Sequence, residues 1–331
     1  MSSRWHDPVS AGVKRGARRL ASGIRLRRID RRPVPGRPDE VCLFLFVKDE
    51  AVRLPFMLKY HFDLGVDRVF AVDNGSTDGT VELLLADERI HVWQTGETLY
   101  RQDTWRDLIM RRFGKGQWWL SLDPDELFLY PHMDQIPLSG LLGHLDREGF
   151  TALHVVLLDL YPDGPIARTR IAAGEDPRSL SPWFDPPAFR QTPHPFVRCR
   201  GATDFVLTGG VRKRVFGLES CCSKFPLVKY GSGMFIPRGI HTIEGAHIAD
   251  LHGAILHFKF LGEFQAKAER ESGRGQYWMA AAEYKRFAEV LQGRQNLVLR
   301  DGDSLRYESP GQLIERGVLQ TSPTYSALCT R

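Results

Sequence analysis

Between residues 41 and 123 the chain alternates short apolar runs with stretches of helical periodicity. Four apolar runs predict strands that are buried on both faces: 41–47, 68–74, 91–96 and 117–123. Three stretches between them predict helices, because apolar residues recur at helical spacing and cap residues or glycines bound them: 51–64, 76–88 and 102–114. Strands and helices that alternate in this way predict an α/β fold, a mainly parallel central sheet with helices on both faces.

The pattern after residue 150 predicts a second, less regular half. Residues 151–161 predict a further strand, and 162–200 predict long loops rich in Pro and Arg. Short strands and turns are expected over 211–217 and 224–260, followed by two helices over 262–291 that are split near Gly273–Gly275. The expected division of the chain has four parts: a basic, disordered arm (1–39), a ligand-binding half (40–150), a second half (151–291) and a wrapping tail (292–331).

The formal net charge of +5 is concentrated at the N-terminus. Residues 1–37 hold eleven Lys and Arg against two Asp, a net +9, which leaves −4 on the rest of the chain. This composition predicts a disordered arm; peripheral contact with an anionic membrane face, as a surface helix, is the functional alternative. Nucleic-acid binding is not indicated, because no aromatic residues interleave with the charge.

Cysteine usage and hydropathy indicate the compartment. The five cysteines show no Cys-x-x-Cys spacing, and an odd number without a secretory signal favours a reducing environment. No run approaches the length of a transmembrane helix, and the N-terminus lacks the apolar stretch of a signal peptide. We therefore expect a cytoplasmic protein, with any membrane contact made by the arm at the inner face.

Polar turns follow three of the predicted strands. KDE (48–50) follows the first strand, DNGSTDG (73–79) the second and DPDE (123–126) the fourth. In parallel sheets, ligands bind beyond the carboxyl ends of the strands. The three turns are therefore expected to converge on one edge of the sheet and to form a binding site there.

The DPDE turn carries the residues of a metal site. Side chains two apart on an extended turn face the same way, so Asp123 and Asp125 can bind one hard divalent cation together. Oxygen ligands suit Mg²⁺ or Mn²⁺, and such an ion would stabilise a diphosphate leaving group. Glu126 can orient the pair. Solvated acids explain Asp-x-Asp alone equally simply, but the place of this turn, in line with two other polar turns, favours a metal.

The DNGSTDGT stretch (73–80) fits a nucleotide pocket. Asp73 and Asn74 can hydrogen-bond a nucleobase edge or a ribose hydroxyl, and Gly75 lets the backbone approach a ligand closely. The same residues also fit a tight turn that caps a helix, and both interpretations can hold together. Asp78 is either a pocket residue or the start of the helix.

Taken in order, these motifs resemble the family 2-type glycosyltransferases with a GT-A fold. The matching residues are KDEAVRLPFMLKYHFDLGVDRVFAVDNGSTDGT, the helix that carries Gln102, and WWLSLDPDELF. The likeness is greatest to a bacterial branch in which a Leu-Pro-x-x-x-x-Tyr-His helix precedes Asp-Asn-x-Ser-x-Asp-Gly-Thr. It covers roughly residues 40–135, and LHFKFLGEFQAKAERESGRG (256–275) resembles a second segment of that branch.

The resemblance implies an enzyme and the roles of its residues. The enzyme would move a sugar from a nucleotide-diphosphate donor to a hydroxyl of a glycan, lipid or protein, with Mn²⁺ or Mg²⁺ as cofactor and the second half holding the acceptor. The metal ligands it implies are Asp123, Asp125 and His257. The nucleotide-sugar contacts it implies are Lys48, Asp49, Glu50, Asp73, Asn74, Asp78, Asp123 and Lys259, with Lys267 as an alternative phosphate contact.

The catalytic base is chosen among several residues of the second half. Inverting transfer needs a carboxylate beside the acceptor hydroxyl. The candidates are Asp159, Asp163, Glu219 and Glu244, with His241 and His252 as further choices. Asp163, in LYPDGP, is preferred because its loop follows a predicted strand where an acceptor can reach it, although these residues also fit a Pro-Asp-Gly turn.

Two other functions fit parts of the pattern. A non-catalytic nucleotide- or sugar-binding module on the same fold is consistent with the undetermined base, and with Asn74 at a place where many relatives carry Asp. A glycoside hydrolase would need paired carboxylates on opposite sides of a sugar ring. Two acids one residue apart on one turn do not provide that arrangement.

Overall fold

The computed structural model describes residues 25–97, 101–201, 204–274, 278–294 and 296–330. Within these ranges the strands are β1 (Arg27–Arg28), β2 (Cys42–Val47), β3 (Arg68–Asp73), β4 (Ile90–Gln94), β5 (Trp118–Leu122), β6 (Glu126–Leu129), β7 (Ala152–Asp159), β8 (Trp183–Phe184), β9 (Arg190–Pro193), β10 (Arg200–Gly201), β11 (Phe205–Thr208), β12 (Ser223–Lys229), β13 (His247–His257) and β14 (Leu305–Arg306).

The helices follow the predicted alternation in the first half of the chain. They are α1 (Leu54–Leu64), α2 (Thr80–Ala86), α3 (Gln102–Phe113), α4 (Leu138–Arg147), α5 (Pro177–Leu180), α6 (Gly210–Phe216), α7 (Phe264–Arg274), α8 (Trp278–Leu291), α9 (Pro310–Glu315) and α10 (Pro323–Ser326). Gly65 ends α1 in the left-handed conformation, with φ 113°. The four strands and three helices predicted between 41 and 123 are all present, as is the strand predicted at 151–161. Helices α7 and α8 occupy the 262–291 stretch, but residues 275–277, next to the expected split, lie outside the described residues.

One ten-stranded sheet crosses both halves of the chain. Its order is β1-β4-β3-β2-β5-β12-β7-β13-β10, and β6 also pairs with β13. β4, β3, β2 and β5 are parallel, as are β7, β13 and β10, whereas β12 runs antiparallel between β5 and β7. The predicted α/β class, with a mainly parallel central sheet, is confirmed, and its arrangement is consistent with a GT-A fold.

Helices cover both faces of this sheet because the side chains of its strands alternate. On β2, Leu43 and Leu45 face a core that α1 and α4 complete through residues such as Met57 and Leu141. The intervening Phe44 faces a second core, formed with the buried side of α3. Each face of the sheet therefore buries its own apolar layer, which explains why the strand sequences read as continuous hydrophobic runs.

The strand ends that matter for function lie along one side of the sheet, which we call the carboxyl edge. Parallel registers place Val47 beside Asp73, and Asp159 beside His257. Because β12 runs in the opposite direction, its first residues rather than its last reach this edge, and Lys224 pairs in register with Val155 of β7. The carboxyl edge therefore combines the ends of β2, β3, β5, β7 and β13 with the start of β12.

One prediction for the second half is wrong. The stretch 211–217, predicted as a strand, lies in the helix α6; Val211, Arg212 and Phe216 are buried on it, and Gly217 ends it in the left-handed conformation. The stretch 224–260 does combine strands with Gly- and Pro-containing turns, but its second strand, β13, is eleven residues long. Gly253 in β13 marks no turn: a Cβ there would lie 2.7 Å from the carbonyl oxygen of Leu129, so the residue allows a close backbone approach.

The described part of the basic arm contacts the edge of the sheet. β1 pairs antiparallel with β4, and the buried carboxylate of Asp30 accepts hydrogen bonds from Arg28 and from the backbone of Val92. The structured chain thus begins well before Val41, where the sequence places it. Residues 1–24 of the predicted arm lie outside the described residues, so its membrane contact stays a prediction.

The tail and the cysteines complete the fold. Tyr325 of the tail is fully buried in the core, and its hydroxyl donates to the carbonyl of Pro131, 3.1 Å away.

All five cysteines are free thiols. Over the described ranges, no helix combines the length and the apolar character needed to cross a membrane.

Candidate active site

The turns after β2 and β3 are joined by hydrogen bonds. The backbone N–H of Asp49 donates to Ser76 Oγ at 2.9 Å, and the carboxylate of Asp49 accepts the N–H of Thr77 at 2.8 Å. The N–H of Glu50 donates to Thr80 Oγ1 at 2.8 Å. Asp78 accepts from the backbone of residue 51 and from Thr80, so its carboxylate links the KDE turn to the start of α2. The convergence of these two turns is confirmed.

Asp73 and Asn74 shape the loop that the sequence assigns to the nucleotide. The buried Asp73 carboxylate accepts the N–H groups of Gly75 and Ser76, each at 3.1 Å. The side-chain amide of Asn74 donates to two carbonyls of the loop after β4, at 3.0 and 2.9 Å. Lys48 Nζ donates to the carbonyl of Asn74 at 2.8 Å. These side chains hold the loop in place; their contact with a base or ribose stays a prediction.

Asp125 and His257 face each other at the centre of the carboxyl edge. His257 Nε2 lies 3.6 Å from Asp125 Oδ2; the histidine is buried, and the aspartate side chain is 13% exposed. His257 Nδ1 lies 2.5 Å from Asp159 Oδ1, and since a carboxylate only accepts, Nδ1 is the donor. Arg212 in turn donates two hydrogen bonds to Asp159, at 2.7 and 2.8 Å. Together they form a chain of contacts from Arg212 through Asp159 and His257 to Asp125.

The charges of this chain of contacts support one another. Burial disfavours the charged form of His257, but the carboxylates of Asp125 and Asp159 outweigh it and raise the pKa of His257 above its ordinary value. Burial likewise opposes ionisation of Asp125, yet His257, Lys267 and Arg53 hold its pKa well below the usual range. Each group therefore favours the charged form of the other.

Asp123 and Glu126 form ion pairs with Lys224 rather than with His257. Lys224 Nζ lies 3.2 Å from Asp123 Oδ2 and also bonds the carboxylate of Glu126. Burial disfavours the charged ammonium, but the two acids raise the pKa of Lys224 above its ordinary value. The predicted trio of metal ligands is thus divided, because Asp125 meets His257 while Asp123 meets a lysine. Across the described segments, no group of three or more His, Cys, Asp or Glu side chains is arranged to hold an ion.

Basic side chains also approach the KDE turn. Arg53 donates to Glu50 at 2.9 Å and contacts Glu263 at the start of the C-terminal helices. Lys267 Nζ on α7 lies 3.8 Å from Glu50. Burial raises the pKa of Glu50, although Lys267 and Arg53 face it. The segment 256–275, which the resemblance matched separately, is therefore brought next to the KDE turn.

Lys259 and Asp163 lie in other surroundings. Lys259 Nζ is 4.8 Å from the ring centroids of Tyr284 and Phe287, and burial lowers its pKa. Asp163, the preferred base, is largely exposed and forms an ion pair with Arg300. Neither contact involves the Asp125–His257 pair, so these two assignments rest on the sequence alone.

The other candidate carboxylates each pair with a basic side chain. Asp159 is bonded to Arg212 and His257, which suits it to hold the histidine rather than to take a proton from an acceptor. Glu219 is exposed and pairs with a surface lysine at 2.7 Å. Glu244 is buried and lies 3.4 Å from Arg198.

Three basic residues of the site, Arg53, Lys224 and Arg212, were missed in the sequence. The first lysine of β12, directly before an apolar run, was a usable signal for Lys224, because a charge buried there needs a partner. Arg53 lies three residues after Glu50, the spacing of a helical ion pair. Arg212 carried no such signal, since its stretch was predicted as a strand.

Comparisons with known proteins give partial structural matches. No family model matches the sequence, and no curated protein does. A glucosyl-3-phosphoglycerate synthase from Mycobacterium tuberculosis, crystallised with Mn²⁺, UDP and glucosyl-3-phosphoglycerate, matches at 18% identity and a TM-score of 0.25, over 47% of this chain and 50% of that one. A 4-diphosphocytidyl-2C-methyl-D-erythritol synthase matches at 14% identity and a TM-score of 0.25, over 44% and 67%. The chain thus spans about half the length of the first of these proteins, and matches at these TM-scores do not decide what it binds.

Proposed function

We propose that the chain is a metal-dependent glycosyltransferase of the family 2 type. It takes a sugar from a nucleotide-diphosphate donor and passes it to a hydroxyl of a glycan, lipid or protein. The nucleotide-sugar contacts we propose lie in the three turns and just after β13: Lys48, Asp49, Glu50, Asp73, Asn74, Asp78, Asp123 and Lys259. The cation we propose is Mn²⁺ or Mg²⁺.

The observation that carries this proposal is the Asp125–His257 pair. A histidine that ligates a metal through one ring nitrogen commonly donates the other N–H to a carboxylate. His257 has that arrangement: Nδ1 bonds Asp159, and Nε2 lies 3.6 Å from Asp125 Oδ2, close enough for both atoms to bind one ion. The residues therefore fit a divalent cation with two protein ligands.

A site with two protein ligands suits the proposed chemistry. Mg²⁺ usually keeps several waters and is held by one or two side chains together with substrate phosphates. When bound, the ion would neutralise the charge that develops on the diphosphate as the sugar leaves. Asp159, fixed by Arg212, would hold the His257 ring in the orientation that leaves Nε2 free for the ion. Gly75, with φ 78°, lets the loop backbone approach the nucleotide.

The test compares Mn²⁺ binding and donor turnover in matched variants. Asp125→Asn and His257→Gln should each lower Mn²⁺ affinity in calorimetry by about 10-fold or more. Both should also lower release of the nucleotide diphosphate from a panel of UDP-, GDP-, CDP- and ADP-sugars. Asp146→Asn is the control, since that aspartate is half-exposed in α4 and pairs with Lys229. Equal Mn²⁺ affinity in all four proteins would refute the metal site.

The catalytic base needs its own experiment. We propose Asp163, with the ion pair to Arg300 opening when acceptor binds. Asp163→Asn should lower transfer to the acceptor by about 100-fold while leaving the affinity for donor unchanged. Unchanged transfer would exclude Asp163.

A non-catalytic nucleotide-binding module is the second candidate function. The surface ion pair of Asp163 favours it, because a base already held by arginine is poorly placed to accept a proton. Calorimetry with UDP and Mn²⁺, run beside a donor-hydrolysis assay, separates the two functions. Binding without cleavage or transfer of any donor in the panel would favour the module.

A further inference from the structure

Lys224 occupies an unusual position at the carboxyl edge. It lies at the start of β12, where the register with β7 shifts between Lys224 and Leu227, an irregularity of the kind that redirects side chains next to active sites. Only 5% of its side chain is exposed. A charged ammonium buried to this degree is stable only while anions face it.

The two anions that face Lys224 differ in how firmly they are held. The Glu126 side chain is completely buried, and its second oxygen accepts the N–H of Asp123 at 3.1 Å. The Asp123 side chain is 45% exposed, and its ion pair with Lys224 is 3.2 Å long. Glu126 therefore keeps the ammonium in place, whereas the Asp123 carboxylate can rotate into water at small cost and leave its position to another anion.

A second buried cation interacts electrostatically with Asp123. Arg106 of α3 is 2% exposed and donates to the backbone carbonyls of Ile236 and Pro237, at 2.6 and 2.9 Å. Over the residues that the structure describes, no carboxylate lies within ion-pair distance of Arg106, although the charges of Asp103, Asp107 and Asp123 act on it in that order of size. Burial lowers the pKa of Arg106 to about 10, so its guanidinium stays charged at neutral pH. An anion that replaces Asp123 therefore enters a place where two buried cations favour it.

We propose that Lys224 is a phosphate-binding residue. When a diphosphate binds, one phosphoryl group replaces the Asp123 carboxylate at Lys224, and the other phosphoryl group faces the Asp125–His257 pair. The inference rests on the proposed function, since that pair holds the cation. A diphosphate suits the geometry because Asp123 and Asp125 are two residues apart on one turn and face separate positive groups. A single phosphate cannot use both positions equally well.

Inorganic pyrophosphate is the probe, titrated by calorimetry with and without Mn²⁺. A charge-assisted hydrogen bond contributes about 1.5–3 kcal/mol, so Lys224→Met should weaken pyrophosphate binding by about 10- to 100-fold. Orthophosphate binding should change much less. Asp123→Asn, measured without Mn²⁺, should strengthen pyrophosphate binding, because it removes the competing anion. Lys229→Met is the control: this lysine lies on the same strand and pairs with Asp146 at 2.7 Å.

Loss of folding is controlled by a second variant. Removing one partner of a buried ion pair is costly, so the double variant Lys224→Met/Glu126→Gln is also measured, and melting temperatures confirm that each protein is folded. Equal pyrophosphate affinity in the wild type and in either folded Lys224 variant would overturn the inference, as would weaker binding by Asp123→Asn in the absence of Mn²⁺. No Mn²⁺ uptake by the wild type would instead refute the proposed metal site, and the titrations without Mn²⁺ would still test Lys224.

Discussion

A buried histidine should make the fold sensitive to mild acid. His61 and Tyr60 on α1 clamp one residue of β6, the strand that follows the DPDE turn. His61 Nδ1 donates to the carbonyl of Met57 at 2.8 Å, which leaves Nε2 to accept the N–H of Phe128 at 3.3 Å. The hydroxyl of Tyr60 donates to the carbonyl of Phe128 at 3.0 Å. Protonation of Nε2 would break the first of these bonds inside the core.

The size of the effect follows from the pKa of His61. Burial lowers this pKa from 6.5 to about 4, because the charged imidazolium would lose its hydration. The unfolded chain therefore takes up the proton first, and the contribution of His61 to stability is complete above pH 6.5 and falls as the pH drops towards 4. Linkage gives a loss of roughly 2 kcal/mol in the free energy of unfolding between pH 7 and pH 5.

Urea denaturation of wild type and His61→Gln at pH 7 and pH 5 measures this loss. The variant should be less stable at pH 7, but its free energy of unfolding should fall by roughly 2 kcal/mol less on acidification. Tyr60→Phe is the matched control: it removes the other half of the clamp, costs about 1–3 kcal/mol, and should leave the pH dependence unchanged. Parallel pH dependences for wild type and His61→Gln would show that His61 is not held neutral by the fold.

Three further predictions use the same denaturation assay. Asp159→Asn should cost about 3–5 kcal/mol, since it removes the charge that accepts two hydrogen bonds from buried Arg212 and leaves only the longer pair with Glu283; a loss below 1 kcal/mol would contradict the ion pair. Asp30→Asn should cost about 2 kcal/mol or more, because that buried carboxylate accepts several hydrogen bonds at the sheet edge; an unchanged midpoint would show that β1 adds nothing. Gly114→Ala should cost about 1–3 kcal/mol, since its Cβ would lie 2.3 Å from a buried tryptophan ring; Gly302→Ala, with no atom within 4 Å, is the neutral control.

The sequence predicts the first half of the fold well because its signals are local. Apolar runs such as 41–47 and 68–74 predict strands without reference to the rest of the chain, and the glycine at 65 predicts the end of α1. The second half is predicted poorly because its elements depend on distant partners. Within the stretch 224–260, predicted as short strands and turns, the glycine at 253 lies inside a strand, where β13 passes the carbonyl of Leu129. Residues 126–129 form a strand only because β13 pairs with them.

The candidate site also combines contacts that the sequence predicts with contacts that it does not. The approach of the KDE turn to the DNGSTDG turn follows from parallel strands and was predicted. The partners of the acidic turn were not: Lys224 is 101 residues from Asp123 in sequence, and Arg212 is 53 from Asp159. The sequence pattern indicates that buried carboxylates need basic partners. It does not identify those partners, because they depend on the order of the strands in the sheet.

The position of β12 explains why the acidic turn is stable without a ligand. A parallel strand between β5 and β7 would have brought its last residue, Lys229, to the carboxyl edge; the antiparallel direction brings Lys224 there instead. Lys224 then pairs with Asp123 and Glu126, and Asp125 is left to His257. Three carboxylates can thus follow a buried strand because two separate basic groups meet them, and the proposed metal and phosphate sites both depend on this separation.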